Sequence, residues 1–194
     1  MQKELVFVTA NAHKLEEVQL LAGNNFCLKG LSDLDFHDDI VETGSTFKEN
    51  ASIKSNYIYS RYKKNCFADD SGLEVDALNG EPGIYSAHYS GSRDTYINLQ
   101  LVLDKLTGIT NRKARFRCVI SLILNGMEYI FEGTVEGTLL VQPEGLAGFG
   151  YDPIFRPDGY QESFAEMPLA EKNKISHRAK AIAELIKFLN NQAF

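Results

Sequence analysis

Polar residues that could bind a ligand occur in four clusters along the sequence. The first follows a short apolar run, precedes a helical pattern, and contains Thr9, Ala10, Asn11, Ala12, His13 and Lys14. Small residues let a ligand approach the backbone, a helix start offers free N–H groups, and Lys14 supplies a cation, so this cluster suits a phosphate. A polar turn with a solvated lysine is the commoner explanation of such a pattern on its own. The G-x-x-x-x-G-K-[ST] spacing typical of P-loop NTPases does not occur.

The second cluster is a pair of adjacent carboxylates, Asp69 and Asp70, followed by Ser71. The apolar residues 66–68 predict a short strand that ends at these acids. Because side chains alternate along a strand, we expect only one of the two to face a site. A carboxylate there could bind Mg²⁺ or could orient and deprotonate a water molecule. An Asx turn, in which an aspartate caps backbone groups, explains the pattern equally well.

The third cluster adds two further carboxylates, Glu42 and Glu49. Either one, placed near the aspartate pair, would complete a Mg²⁺ site, since this ion needs only one or two protein carboxylates. Glu49 lies three residues after Thr46, however, which is the spacing of a capping box at a helix start. We therefore favour a capping role for Glu49, while Glu42 is either a second metal ligand or part of a solvated acidic loop.

The fourth cluster is a basic stretch from Lys172 to Arg178. Ser176 is placed as a helix N-cap, so His177 and Arg178 are predicted in the first helical turn. Cations at that end oppose the helix dipole unless an anion shares the site. The stretch therefore indicates a site for a phosphate or for a carbonyl group of a base.

Composition excludes several other classes of protein. The 194 residues include 20 Lys and Arg against 26 Asp and Glu, a net charge of −6, with 44% apolar residues. This is the balance of a folded globular protein, and it disfavours nucleic acid or an acidic membrane as a partner, because both require an extended basic face. The histidines and cysteines lack the spacing of a zinc site.

The cysteines and the start of the sequence indicate a compartment. Cys27, Cys66 and Cys118 each lie in or beside apolar runs, so we expect buried free thiols and a reducing environment. The apolar run at residues 5–8 is too short for a signal peptide or a membrane span. We expect a cytoplasmic protein that does not bind membranes.

The elements that must position these clusters are those of an α/β protein. A strand at residues 5–8 leads through a turn to a helix, and a second helix is predicted from Thr46 to Tyr62. Two long strands meet at Asn125-Gly126, which is typical of a type I′ hairpin turn. A last helix from Ser176 is predicted to bury apolar residues that include Ala183. No linker or repeat divides the sequence, so residues 1–194 are expected to form one domain.

Taken together and in order, the clusters resemble the inosine/xanthosine triphosphate pyrophosphatases, which remove non-standard purine nucleotides. Six segments spanning nearly the whole chain carry the resemblance, and the last two are specific to that family. They are Thr9 to Lys14, Glu42 to Ala51, Ala68 to Leu73, Pro82 to Ala87, Phe149 to Phe155, and Lys172 to Arg178.

The resemblance implies a fold, an assembly and a reaction. The fold is an α/β structure with a long central mixed β-sheet flanked by helices, and with two lobes around an active-site cleft. The assembly is a homodimer. The reaction is the Mg²⁺-dependent hydrolysis of ITP, dITP and XTP to the nucleoside monophosphate and pyrophosphate, which keeps deaminated bases out of DNA and RNA.

The resemblance also implies roles for individual residues. Thr9 to Lys14 would hold the triphosphate, Asp70 would be both metal ligand and general base, and Glu42 would be the second metal ligand. The substrate contacts would include Ser71 and a set that frames the purine: Phe149, Gly150, Tyr151, Asp152, Lys172, His177 and Arg178.

Two residues depart from the family pattern. Ala10 stands where glycine is usual, and because alanine disfavours positive φ, the detail of that turn is expected to differ. His88 stands where an arginine usually follows the Tyr-Ser-Ala segment, so any substrate contact there is expected to be weaker or pH-dependent.

Two other functions are compatible with this type of sequence. One is a nucleotide-binding regulator without turnover, but a pure binding protein has no need of the water-activating carboxylate that Asp70 would supply. The other is a nucleic-acid-binding module, which the acidic net charge disfavours.

Overall fold

The computed structural model describes residues 3–23 and 26–192, and the side chains of Ala12 and His13 lie outside the described part. The strands are β1 (Lys3–Phe7), β2 (Phe26–Lys29), β3 (Cys66–Val75), β4 (Lys113–Leu124), β5 (Met127–Leu139) and β6 (Phe155–Pro157). The helices of seven residues or more are α1 (Ala12–Ala22), α2 (Phe47–Tyr62), α3 (Thr95–Lys105), α4 (Leu169–Ile175) and α5 (His177–Asn190).

The strands form one mixed sheet in the order β2-β1-β3-β4-β5-β6. β1 pairs in parallel with β2, where Leu5 lies opposite Leu28, and also in parallel with β3, where Val6 lies opposite Cys66. β6 pairs antiparallel with β5. The predicted α/β fold, a mixed sheet flanked by helices, is confirmed.

The chain divides into two compact units. Unit 1 consists of Met1–Asp70, Cys118–Gly133 and Arg178–Phe194, and unit 2 consists of Ser71–Arg117 and Thr134–His177. All four boundaries lie inside elements, since β3, β4, β5 and α5 each contribute residues to both units.

The core of unit 1 is built from apolar side chains of its strands and of α5. Phe7 of β1 and Phe67 of β3 stack at a centroid distance of 4.6 Å, and Ile182 and Leu185 of α5 belong to the same cluster. Cys66 and Cys118 are buried free thiols, as predicted, whereas Cys27 is half-buried. Ala183 is exposed, so its predicted burial is wrong, because Ala181 occupies the inward position instead.

The core of unit 2 is rich in aromatic rings. Phe116 of β4 packs against Phe155 of β6 at 4.7 Å and against Phe164 at 6.1 Å, measured between ring centroids. Val102 of α3 is fully buried in the same cluster. Asp94 caps α3 as its side chain accepts hydrogen bonds from the N–H groups of Tyr96 and Ile97.

Local signals in the sequence correctly indicated two further features. The hairpin turn between β4 and β5 has φ of 52° at Asn125 and 86° at Gly126, the positive values that a type I′ turn requires. Thr46 caps α2 by accepting a hydrogen bond from the N–H of Glu49, while the Glu49 carboxylate accepts from the N–H and hydroxyl of Ser45. The capping role of Glu49 is therefore confirmed.

The predicted end of β3 is wrong. The strand does not stop at Ala68 but continues through Asp69 and Asp70 to Val75. The buried charges of Asp69 and Asp70 find cationic partners on neighbouring elements, so the strand accommodates them without a turn. Among the described residues, no helix is both long and apolar enough to cross a membrane.

Candidate active site

The carboxylates of Asp69 and Asp70 meet different neighbours in unit 1. Asp69 accepts a hydrogen bond from Lys14 of α1, whereas Asp70 accepts one from Asn50 of α2. Successive side chains of a strand point to opposite faces, which accounts for the separation. The expected division of the pair between two environments is therefore present, but it occurs inside a strand and not in a turn.

Asp70 lies in a pocket of polar groups on the α2 side. The Asn50 Nδ2 atom donates to Asp70 Oδ2 at 3.1 Å, and Lys54 Nζ lies 3.9 Å from Asp70 Oδ1. Burial raises the pKa of Asp70 to about 6, and the charge of Glu42 adds to the effect, although Lys54 opposes it. A carboxyl group with that pKa is suited to accept a proton near neutral pH.

Lys54 joins the two candidate metal ligands. Its Nζ atom lies 3.0 Å from Glu42 Oε2 and donates to the backbone oxygen of Asp69 at 2.7 Å. Burial lowers the pKa of Lys54, but the charges of Asp70, Asp69 and Glu42 outweigh it and raise the pKa above its usual value. Lys54 therefore carries a positive charge between carboxylates.

The donor set of Glu42 and Asp70 fits a hard divalent cation. Both carboxylates contact the same ammonium group, and Asp70 is 8% exposed with a raised pKa, so a second cation would relieve the repulsion that remains. Mg²⁺ commonly takes one or two protein carboxylates and fills its other positions with water and substrate. Among residues 3–23 and 26–192, no group of three or more His, Cys, Asp or Glu side chains could hold a metal ion.

Asp69 is the carboxylate that pairs with the phosphate-binding candidate Lys14. Lys14 Nζ lies 3.1 Å from Asp69 Oδ1 and 3.0 Å from Oδ2, and Arg178 Nε lies 3.4 Å from Oδ2. Burial would raise the pKa of Asp69, but the charges of Lys14 and Arg178 outweigh it and hold the pKa well below its usual range. These two cations therefore favour the ionised form of Asp69.

The turn before α1 is shaped by two of the predicted phosphate-binding residues. The N–H of Asn11 donates to Thr9 Oγ1 at 3.1 Å, and Asn11 caps α1 by accepting from the N–H of Lys14 at 3.2 Å. Ala10 is not among the described residues with positive φ, so the backbone of this turn is compatible with an alanine. Ala12 and His13 begin α1, but their side chains lie outside the described part.

Unit 2 brings together Phe149, Asp152 and Lys172. Lys172 Nζ pairs with Asp152 Oδ2 at 2.7 Å, and the N–H of Phe149 donates to the same oxygen at 2.8 Å. The ammonium group of Lys172 also lies 5.0 Å from the centroid of the Phe149 ring, which is a cation–π contact. Phe149 is half-buried, whereas Lys172 and Asp152 are buried.

The remaining predicted residues of unit 2 are also held by specific contacts. Tyr151 donates its hydroxyl to the backbone oxygen of Ser86 at 2.9 Å. His177, the first residue of α5, stacks on Phe116 with a centroid distance of 4.9 Å and an interplanar angle of 13°. Gly150 has φ of 63° within the turn, and Ser71 follows Asp70 in β3.

Arg178 and His88 have contacts that the sequence did not indicate. Arg178 was grouped with the purine-framing residues, but its guanidinium lies in unit 1, is 2% exposed, and pairs with Asp69 and Glu17. His88 is exposed and packs edge-on against Tyr85 at 5.9 Å. The predicted purine contact of Arg178 and the predicted pH-sensitive contact of His88 stay predictions.

Nearly the whole chain matches the model of a known protein family. The model of the Ham1 family matches residues 5–188. The chain belongs to the Ham1 family. The match contains every residue of both clusters, from the turn before α1 to Arg178 of α5.

Curated relatives of this Ham1 chain share a name. The dITP/XTP pyrophosphatase of Christiangramia forsetii is 47% identical over 188 residues, covering 96% of this chain and 99% of that protein. The dITP/XTP pyrophosphatase of Bacillus subtilis is 42% identical over 194 residues, covering 97% and 98%.

Solved Ham1 structures share the fold over the whole length. The Ham1 protein of Staphylococcus aureus superposes with a TM-score of 0.90 at 41% identity, covering 98% of this chain and 100% of that chain. A HAM1 protein from Coxiella burnetii gives the same TM-score at 37% identity, also covering 98% and 100%.

Sequence reasoning missed three residues of the unit 1 cluster of this Ham1 chain. Asn50 and Lys54 lie four residues apart on α2, so they share a helix face, and that face meets Asp70. The available signal was their spacing of four residues, with Asn50 inside the segment from Glu42 to Ala51 and Lys54 shortly after it. Glu17, which pairs with Arg178, belongs to no motif and has no local signal of its own.

Proposed function

We propose that this Ham1 chain hydrolyses the deaminated purine nucleoside triphosphates ITP, dITP and XTP to the nucleoside monophosphate and pyrophosphate. The proposal rests on one structural observation above all, the buried Asp70 carboxylate beside Glu42 and Lys54. Relatives at 42–47% identity that are named dITP/XTP pyrophosphatases support the same substrate class.

In the proposed reaction, water attacks the α-phosphorus while pyrophosphate leaves. The new bond joins the water oxygen to the α-phosphorus, the bond from that phosphorus to the α–β bridging oxygen breaks, and Asp70 accepts the proton of the water. Lys54 and Lys14 offset negative charge on the phosphate oxygens, which is the main requirement of phosphoryl transfer.

Mg²⁺ is the proposed cofactor, held by Glu42 and Asp70. When bound, it would supply charge neutralisation and polarisation of the phosphate oxygens. The fit rests on the chemistry of the two carboxylates and their shared contact with Lys54.

The residues of unit 2 are proposed to select the base. Phe149 is half-buried and offers an aromatic face for stacking, while Lys172 and His177 can donate hydrogen bonds to the 6-keto group of hypoxanthine or xanthine. A site built from donors rejects adenine, because the 6-amino group leaves those donors unpaired. We therefore expect ITP and XTP to be preferred over ATP.

We also propose a homodimer that works in the cytoplasm. Unit 2 exposes large apolar side chains, among them Tyr85 (56% exposed), Tyr96 (67%) and Ile97 (49%), and burial of such a surface by a second copy would be favourable. Light scattering of the purified protein tests the dimer. A monomeric mass at micromolar concentration contradicts it.

Identification of the products from ITP, with ATP and GTP in parallel, tests the proposed function. Pyrophosphate and IMP, with ATP and GTP nearly untouched, are expected. Orthophosphate and IDP would place the attack at the γ-phosphate and contradict the proposal. In Asp70→Asn, ITP binding should persist while turnover is lost, and a variant as active as the wild type would remove Asp70 as the base.

A further inference from the structure

Four charged side chains of unit 1 form a continuous series of ion pairs. Lys14 Nζ contacts both oxygens of Asp69 at 3.0–3.1 Å, and Asp69 Oδ2 lies 3.4 Å from Arg178 Nε. The Nη1 atom of Arg178 then donates to Glu17 Oε2. The charges alternate along the series, two positive and two negative.

The series begins and ends on the same helix. Lys14 and Glu17 are three residues apart on α1, so they lie on one helix face, while Asp69 comes from β3 and Arg178 from the first turn of α5. The series of ion pairs therefore ties three elements together, and its two ends are joined only through α1. A side chain that is fixed in such a series loses most of its rotamer freedom.

The four side chains of the series differ sharply in their exposed fraction. The side chains of Asp69 and Arg178 are 2% exposed and that of Glu17 is 9% exposed, whereas Lys14 is 16% exposed. Lys14 is thus the member whose charge can reach a ligand. Glu17 is the member farthest from it along the series of contacts.

We propose that Glu17 is a positioning residue for Lys14, acting through Arg178 and Asp69 to fix the ammonium group that binds the triphosphate. The proposal rests on the proposed function, in which Lys14 contacts the phosphates. Glu17 neutralises Arg178, so Asp69 need not satisfy that guanidinium alone and keeps both oxygens directed at Lys14. Loss of the Glu17 charge should turn Asp69 toward Arg178 and release Lys14.

The test measures binding of inorganic tripolyphosphate by calorimetry in Mg²⁺ buffer, a probe that lacks a base. Glu17→Gln should weaken binding about tenfold, within the range for coupled neighbouring residues. Glu16→Gln is the matched control, since Glu16 is the adjacent, exposed glutamate on the same helix, and it should change binding less than about twofold. Tighter binding in Glu17→Gln would mean that only net charge matters and would overturn the proposal.

A double-variant cycle separates positioning from a general structural effect. If Glu17 acts through Lys14, then Glu17→Gln should have almost no further effect on tripolyphosphate binding in a Lys14→Met background. An equal loss in both backgrounds overturns the proposal. If wild-type protein makes no pyrophosphate from ITP, the proposed function fails, whereas an active wild type with an unaltered Glu17→Gln variant refutes the positioning role alone.

A second variant covers the case in which Glu17→Gln does not fold. Glu17→Met combined with Arg178→Met removes the buried pair together, which leaves no unpaired charge and is often neutral for stability. Without Arg178, Asp69 has no guanidinium to turn toward and stays paired with Lys14, so the double variant should bind tripolyphosphate within about twofold of the wild type. A loss of about tenfold in the folded double variant would mean that Lys14 is not held through the competition between Lys14 and Arg178 for Asp69, and would overturn the proposal.

Discussion

Asp69 and Asp70 are consecutive residues of β3, yet their carboxyl groups have pKa values displaced in opposite directions. The charges of Lys14 and Arg178 hold the pKa of Asp69 below its usual range, whereas burial raises that of Asp70 to about 6. The ionised form of Asp69 is thus favoured by the cations that it contacts, while the raised pKa of Asp70 suits it to exchange a proton near neutral pH. This is the separation of properties expected of a structural ion and a general base.

Asp70→Asn should stabilise the metal-free protein at pH 8. The folded pKa of about 6 exceeds the ordinary value of 3.8, so the ionised group destabilises the fold. At about 1.4 kcal/mol per pKa unit, we expect a gain of about 1–3 kcal/mol in the free energy of unfolding. The penalty is fully present above the folded pKa and absent below 3.8, so the gain should shrink as pH falls through 6. Urea unfolding in EDTA at pH 8 and pH 5 measures the gain in the free energy of unfolding. An equal gain at both pH values would contradict the raised pKa of Asp70.

Mg²⁺ should stabilise the wild-type protein through Glu42 and Asp70. At ten times its dissociation constant, a ligand adds about 1.4 kcal/mol to the free energy of unfolding. Glu42→Gln and Asp70→Asn should lose this increment. Glu49→Gln is the control, because Glu49 is committed to Ser45 and should leave the Mg²⁺ effect unchanged. Thermal unfolding with and without Mg²⁺ checks all three, and an increment retained in Glu42→Gln would exclude that residue as a ligand.

Lys54→Met should lower kcat for ITP by about 10²–10³, the usual effect of removing one electrostatic group from an active site. The variant also leaves Glu42 and Asp70 without their shared cation, so the pKa of Asp70 should rise further. Lys48→Met is the matched control, since Lys48 is an exposed lysine on the same helix. Steady-state kinetics with ITP across pH measures this effect. A kcat within twofold of the wild type would show that Lys54 does not contribute to catalysis.

Gly148→Ala should weaken ITP binding while tripolyphosphate binding is retained. A Cβ at Gly148 would collide with Asp152 Oδ2, the oxygen that accepts from the N–H of Phe149 and from Lys172. Gly150→Ala is the matched control, because both glycines have positive φ but a Cβ at Gly150 meets open space. We expect about tenfold weaker ITP binding for Gly148→Ala relative to Gly150→Ala. Equal affinities would mean that the position of Asp152 does not affect base recognition.

Elements with a local signal were predictable from the sequence. The capping of α2 by Thr46 and the hairpin turn at Asn125-Gly126 depend on neighbouring residues, and both appear as expected. The predicted end of β3 is wrong because acidic residues favour turns, whereas here Asp69 and Asp70 find partners in distant residues, among them Lys14, Arg178 and Asn50.

Some residues of the candidate site could be predicted from motifs, whereas others could be found only from the fold. Glu42 and Asp70 could be named from motifs, and the structure brings both to Lys54. Lys54 itself could not be found by motif, because its role depends on which face α2 presents to β3. Glu17 was hidden for a similar reason, since its partner Arg178 is 161 residues away in the sequence.

Neither of the two units is a continuous stretch of the chain. Their boundaries follow Asp70, Arg117, Gly133 and His177, so unit 1 consists of three separate stretches of chain and unit 2 of two. No single truncation of the gene can yield either unit intact, and each cut would also sever a strand or a helix. For the same reason, no single crossover between homologues would exchange either unit intact, because unit 2 lies between stretches of unit 1.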